Sequence, residues 1–373
     1  MNSHKWSQFY KIFKPVIQPT AAILLSLMVG AIAIIATGNN PLKVYGIMIH
    51  GAFGSEYYLL TTLNRAIPII ITGLGAAICW ASNYMGIGGE GQMILGGFIT
   101  AITALNCPGP VWIRVTAAVL AGLSVAGLYS WISAWLLDKF NMSLAISTLM
   151  FNYAAAYIAL HFTQNVFLDK SGDKKLVQTA MLPENMRLPR IIPDQKLHWG
   201  FAVAVLVTIA VWFLMNRTSF GYESRMSGFN IHFCDYGGIQ SKKIMYGMLT
   251  LSGVICGLAG VLEVFGTNYR YIHNTYVSAS FAWIGLNAAL ISNYDPIGVF
   301  FTSIILAGIS TGGAAIARST TIPVEISSII QGCITLFISA HILNQIHIKH
   351  KVTASGNTPE SQKSIPAEGE SKL

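Results

Sequence analysis

Charged residues cut this chain into long apolar runs. Between successive Asp, Glu, Lys and Arg residues, ten windows are long enough to cross a bilayer as helices, which takes about 20 mostly apolar residues. They are Pro15 to Pro41, Ala66 to Gly89, Gly91 to Ile113, Val115 to Leu137, Phe140 to Leu168, Leu197 to Asn216, Ile244 to Leu262, Tyr271 to Tyr294, Pro296 to Ala317 and Ile326 to Ile348. The pattern predicts an all-α polytopic membrane protein with about ten transmembrane helices. An even number puts both termini on one side.

The polar intervals complete the plan. Lys43 to Arg65 is too interrupted to span and carries Tyr57 and Tyr58, so it reads as an extracytoplasmic interfacial segment, with the second helix starting near Pro68. Asp169 to Lys196 contains Pro183, Pro189 and Pro193 and reads as an outer loop. Arg217 to Lys243 is longer than the 2–8 residues that usually join neighbouring helices, so it has room for a helix of its own. Residues 1–14 form a short basic segment, 15–348 the transmembrane domain, and 349–373 a Ser-, Pro- and Glu-rich tail that predicts disorder.

Composition agrees: of 373 residues, 53% are hydrophobic and only 10% charged, where a soluble domain carries about 25%. Basic residues of short loops stay cytoplasmic. Lys5, Lys11 and Lys14 therefore put the N-terminus inside, and parity brings the tail and the 217–243 loop to the same face. By the same parity the 169–196 loop lies outside despite its six basic residues, four acids being mixed among them. The net charge of +8 is that of membrane-flanking loops and calls for no nucleic acid. Cys79, Cys107, Cys234, Cys256 and Cys333 have no paired spacing, and His232 with Cys234 makes only two ligands, so no disulfide framework or metal site is expected.

The chemistry gathers in Asn83 to Phe98, N-Y-M-G-I-G-G-E-G-Q-M-I-L-G-G-F, where six glycines surround one carboxylate. Glycine lets helices approach closely. Glu90, at a cost of about 2.5–3.5 kcal/mol at bilayer depth, should face protein or water rather than lipid. It is a candidate for the translocation path, or else the cap of a tight cytoplasmic turn. Asn152 stands in an apolar run with Ser147, Thr148 and Tyr153; the hydroxyls can bond their own helix, whereas the amide needs a partner across helices or a solute. Asn287 adds a further polar group and is a further candidate for the translocation path. Gly253 and Gly257, and again Gly308 and Gly312, have the G-x-x-x-G spacing of a helix-packing face.

Five motifs recur in order: G-I-G-G-E-G-Q, I-S-T-L-M-F-N-Y (Ile146 to Tyr153), R-x-x-G-x-N followed by Gly238-Ile239, L-S-G-x-x-x-G-L-A-G, and N-Y-D-P-I-G-V (Asn293 to Val299). Together they resemble the permease subunits of bacterial ABC importers of the ribose, branched-chain amino acid and nucleoside family, closest to the nucleoside branch, over about residues 15 to 345. The resemblance implies a pore in the cytoplasmic membrane built with a second permease, the same or homologous. It also implies an extracytoplasmic substrate-binding protein and a separate ATPase subunit that uses the ATP, this chain binding no cofactor itself. On that footing Arg225, Gly228, Asn230 and Gly238 belong to the ATPase-coupling loop, and Glu90, Gln92 and Asn152 lie along or near the path. Where the nucleoside branch carries Asn, Glu and Asp, this chain has Gly86, Leu144 and Ile284, which leaves nucleoside, sugar and flavin-like vitamin open as solutes.

Two rivals remain. An ion-coupled secondary transporter would use Glu90 for coupling but needs no docking loop. A membrane enzyme lacks its motifs: the chain has no H-E-x-x-H and no G-x-x-x-x-G-K-[ST], so any ATP is bound by another subunit.

Overall fold

A computed structural model describes residues 25–320, apart from 27, 33, 37, 170–175 and 194, together with 328–329 and 332–333. The expectations for the N-terminal segment, most of the last helix and the tail lie outside the described residues, as does about half of the first window, whose described residues between 25 and 36 are helical. Among the described residues no strand forms; two isolated bridges, Gln178–Ile272 and Arg190–His198, are the only β pairings.

Among the described residues, twelve helices with defined bounds follow in order. They are α1 (Pro41–Phe53), α2 (Glu56–Ala81), α3 (Gly89–Asn106), α4 (Val111–Phe140), α5 (Leu144–Asn165), α6 (Gly200–Arg217), α7 (Ser219–Phe229), α8 (Ile231–Tyr236), α9 (Ser241–Leu262), α10 (His273–Ala279), α11 (Phe281–Ile291) and α12 (Pro296–Ser319). A π-helical turn, Glu263–Asn268, prolongs α9. Among the described residues, six are long and apolar enough to cross a membrane: α2, α4, α5, α6, α9 with its π-turn, and α12.

The starts and stops are written locally. Asn40 caps α1 by accepting from the Leu42 N–H at 2.9 Å, with Pro41 in the first turn where its missing donor costs nothing. Asp295 and Pro296 do the same for α12, the carboxylate accepting from the Gly298 N–H at 2.8 Å. Asn141, at φ 51°, stops α4 in the left-handed conformation an amide side chain tolerates.

Two expectations are corrected. Lys43 to Arg65 is not too interrupted for helices: α1 occupies its first half and α2, long and apolar enough to span, begins at Glu56, capped by Ser55, with Pro68 inside the helix. Arg65 does not bound a helix: it is half-buried in protein and faces Glu263, so the helix carries it through. The Tyr271 to Tyr294 window is not one span either. Ser280, at φ 51°, divides it into α10 and α11, each too short to cross alone.

The sequence determines which helices sit at the centre. The apolar windows of α2 and α9 are 83% and 78% buried, against 22% in α4, so α2 and α9 form the core and α4 turns most of its surface outward. Small residues make the close contacts. A Cβ on Gly96 of α3 would lie 2.8 Å from the Gly257 backbone of α9, and one on Gly260 would overlap the Met93 carbonyl. Gly253 abuts Ser130 and Ala126 of α4; Gly308 and Gly312 of α12 abut Phe53 and Met48 of α1. The segment from 176 to the start of α6 packs on the chain that leaves α9: the Leu182 N–H donates to the Tyr269 carbonyl at 2.8 Å, and Leu188 to Phe265 at 2.9 Å.

Candidate functional site

The helix carrying Glu90 starts without a side-chain cap, because Gly88 holds the N-cap position. Its first turn is held from α5 instead. Asn152 donates its side-chain amide to the Ile87 carbonyl at 2.8 Å and accepts from the Gly91 N–H at 2.9 Å. Thr148, one turn earlier, accepts from the Ile87 N–H at 2.9 Å. A Cβ at 91 would lie 3.0 Å from Asn152, so any larger residue would push on the clamp. The Asn152 amide is satisfied by backbone, so it fixes the wall of the site.

Glu90 projects from that turn toward α11, where the Trp283 indole N–H donates to its Oε2 at 2.8 Å. Beside the pair is a cavity of about 30 Å³, room for about two waters. Glu90 and Gln92 both line it; Asn152 and Asn287 do not. Thr72, Ser130, Thr148 and Ser252 supply the remaining oxygens. Gln92 is buried, and its Oε1 has no partner among the described residues. Asn287 lies half-buried one residue beyond the lining Leu286.

The loop from 217 to 243 folds as α7 and α8. Its inner face grips the segment that leads to Glu90. Ser224 and Ser82 share a short hydroxyl hydrogen bond, Asn83 donates to the Gly228 carbonyl at 3.2 Å, and the Tyr84 and Ser227 hydroxyls meet at 3.5 Å. Gly228 is glycine for contact, since a Cβ there would lie 2.7 Å from the Ser82 carbonyl. Arg225 donates to Asn216 Oδ1 at 3.1 Å, and Asn230 caps α8 by accepting from the Phe233 N–H at 3.0 Å. Gly238, at φ 82° in the turn before α9, has open space around its Cα. The outer face presents Tyr222, Phe229, Phe233 and Tyr236, exposed by 58%, 86%, 66% and 93%.

Comparison with known proteins decides the family. The pattern described as "Branched-chain amino acid transport system / permease component" matches residues 58–339. The chain belongs to this permease family. It is a non-ATPase membrane subunit of an ABC importer, and ATP hydrolysis belongs to separate subunits. It is a multi-pass protein of the inner membrane. Three relatives match along most of their length. The guanosine ABC transporter permease protein of Bacillus subtilis (strain 168) is 28% identical over 86% of this chain and 92% of its own. The nucleoside ABC transporter permease protein of Lactococcus lactis subsp. cremoris (strain MG1363) is 25% identical over 89% and 93%. The glucose ABC transporter permease protein of Haloferax volcanii is 24% identical over 86% of each chain. No solved structure matches the chain. Nothing in these permeases supports the ion-coupled alternative at Glu90.

Sequence reading missed two groups in this permease. Trp283 was passed over as one aromatic in an apolar run, though its N–H is the partner of Glu90. Glu263 bounds an apolar window in the sequence, yet it is buried in the π-turn and accepts from Asn268 at 3.1 Å. π-turns gather at functional positions, but the turn is visible only in the fold.

Proposed function

We propose that this permease, paired with a second copy or a homologous permease, forms the path of an ATP-driven importer for a small polar solute of the nucleoside or sugar class. The relatives named for guanosine, nucleosides and glucose support that class. An extracytoplasmic binding protein delivers the solute at the 169–196 face, and an ATPase subunit docks on the 217–243 loop. In this arrangement both termini are cytoplasmic.

One observation carries the reading. The α7–α8 loop exposes aromatic side chains on one face while the other grips Ser82 to Tyr84, the approach to Glu90. Exposed aromatics in water mark a docking surface. Force applied there reaches the cavity wall through three side-chain contacts.

The test is to purify the tagged chain in mild detergent from its native cells and identify its companions by mass spectrometry. An ATPase subunit should be recovered with it and lost in Phe233→Asp. Recovery of the chain alone, with ATP-independent uptake in vesicles, would overturn the proposal in favour of ion coupling.

A further inference from the structure

Between α1 and the end of α12 lies an open groove of about 770 Å³. One face of α1 lines it, with Lys43, Gly46, Ile47, His50 and Gly51 at the three- and four-residue spacing of helical neighbours. Ala315, Arg318 and Ser319 line it from α12, again at that spacing. Tyr58 of α2 meets His50 edge to face, ring centroids 6.2 Å apart, and completes one wall. The helices touch where a Cβ on Gly51 would overlap that of Ala315, and they leave open space at Gly46, where an added Cβ meets nothing within 4 Å. Buried Gly51 and Ala315 with half-buried Ile47 make an apolar floor, and the exposed Lys43 and Arg318 stand at its rim.

The groove lies at headgroup depth. Trp80 packs on Tyr294 with ring centroids 6.1 Å apart, so α12 starts beside the end of α2, on the side of the 217–243 loop. α12 is long enough to cross, which brings Arg318 out at the opposite face. Tyr57 and Tyr58 suit that level, where aromatic rings collect. Outside the groove, α1 exposes Leu42, Ile49 and Phe53, a surface suited to acyl chains rather than water.

Charge is one-sided. Among the described residues no Asp or Glu lines the groove. Arg318 gives its Nε–H to the Ala314 carbonyl at 3.0 Å, which leaves the two ends of the guanidinium for an acceptor. A guanidinium fork beside a lysine point charge matches a phosphate.

We propose that this groove holds an anionic phospholipid, with Lys43 and Arg318 on the phosphate and one acyl chain along Gly46, Ile47 and Ala315. The floor decides for a lipid: a soluble phosphate or the acidic patch of a partner protein would use the cations and leave the apolar surface between them bare. The groove shares no lining residue with the Glu90 cavity, so the site is independent of the solute that passes.

The test uses the purified complex, stripped of lipid in mild detergent and titrated with dioleoylphosphatidylglycerol or dioleoylphosphatidylcholine, bound lipid being counted by native mass spectrometry. Phosphatidylglycerol should bind at about tenfold lower concentration or less, the gain that two cations at a headgroup produce. The preference should vanish in Lys43→Ala with Arg318→Ala and survive in Lys43→Arg. Gly46→Trp keeps both cations but fills the groove, and it should also remove the preference. All variants should melt with the parent in lipid-free detergent, since both charged side chains are exposed and Gly46 faces open space. Equal binding of the two lipids overturns the proposal, as it would if a partner protein or the chain's own last helix filled the groove. A preference that persists in the double variant or in Gly46→Trp overturns it too, and displacement of the lipid by glycerol 1-phosphate would reassign the cations to a soluble phosphate.

Discussion

Asn83 donates its side-chain amide to the backbone carbonyl of Gly228 at 3.2 Å, joining α7 to the loop that ends at Glu90. The contact is tight enough to transmit displacement, because Gly228 leaves no space between its Cα and the Ser82 carbonyl. Gly228→Val would force the two apart while leaving Phe229, Phe233 and Tyr236 free on the other face. We expect ATPase recovery to be unchanged and solute uptake to fall by more than about tenfold, the loss that about 1.4 kcal/mol of coupling represents. ATP hydrolysis should continue without transport. Uptake at the parent rate would remove this contact from the coupling route.

Asn152 makes a separate prediction. Asn152→Leu keeps the volume but leaves the Ile87 carbonyl and the Gly91 N–H without their partners. An unsatisfied buried group costs about 1–3 kcal/mol, so the detergent-solubilised protein should unfold several degrees lower, about the shift such an energy produces. Because Asn152 does not line the cavity, the variant's substrate preference should match the parent's. Unchanged thermal stability would show that the loop holds its place without the clamp.

Glu90 and Gln92 were legible because a carboxylate and an amide stand out among glycines between two apolar runs, and membrane physics gives such groups few places to go. Asn152 was legible as a polar group needing a partner, but which partner depended on how α5 crosses the start of α3. The start of α2 was not legible. Cutting at charges assumes that charges meet water or headgroups, and Arg65 instead meets protein beside Glu263. The division at Ser280 escaped for a different reason: no Gly or Pro marks it, and a serine seldom adopts the φ of 51° found there. Gly228 read as a family position. Its physical reason, contact with the Ser82 backbone, came only with the fold.

The glycines that seat α9 on α3 can be tested against one another. A Cβ at Gly260 would overlap the Met93 carbonyl and lie 2.6 Å from the Gly97 nitrogen, and backbone cannot swing aside as a side chain does. Gly260→Ala should therefore cost about 1–3 kcal/mol, the usual range for overpacking. Gly46 of α1 has nothing within 4 Å of the same added atom, so Gly46→Ala should be neutral or slightly stabilising through helix propensity. Thermal melts of the two variants in one detergent decide it. Equal stabilities would mean that α9 and α3 separate without penalty.

His198 gives the pH dependence. It lies just before α6, 1% exposed, with Nδ1 accepting from the Gly200 N–H at 3.0 Å and Nε2 3.3 Å from the Thr267 hydroxyl. The neutral ring therefore carries its proton on Nε2. Protonating Nδ1 would set two donors against each other, and burial pushes the pKa down to about 4 from the ordinary value of 6.5. Between those values the unfolded chain binds more protons than the folded one, so stability rises with pH. The contribution is complete above about pH 6.5 and is lost progressively toward pH 4, a span worth at most about 3 kcal/mol. His198→Gln keeps an amide that can accept and donate but cannot titrate in this range. Melting temperatures of parent and variant should therefore converge as pH falls from 7 to 4.5, the titrating carboxylates being common to both. A constant difference across that range would show that the imidazole is not held neutral by the fold.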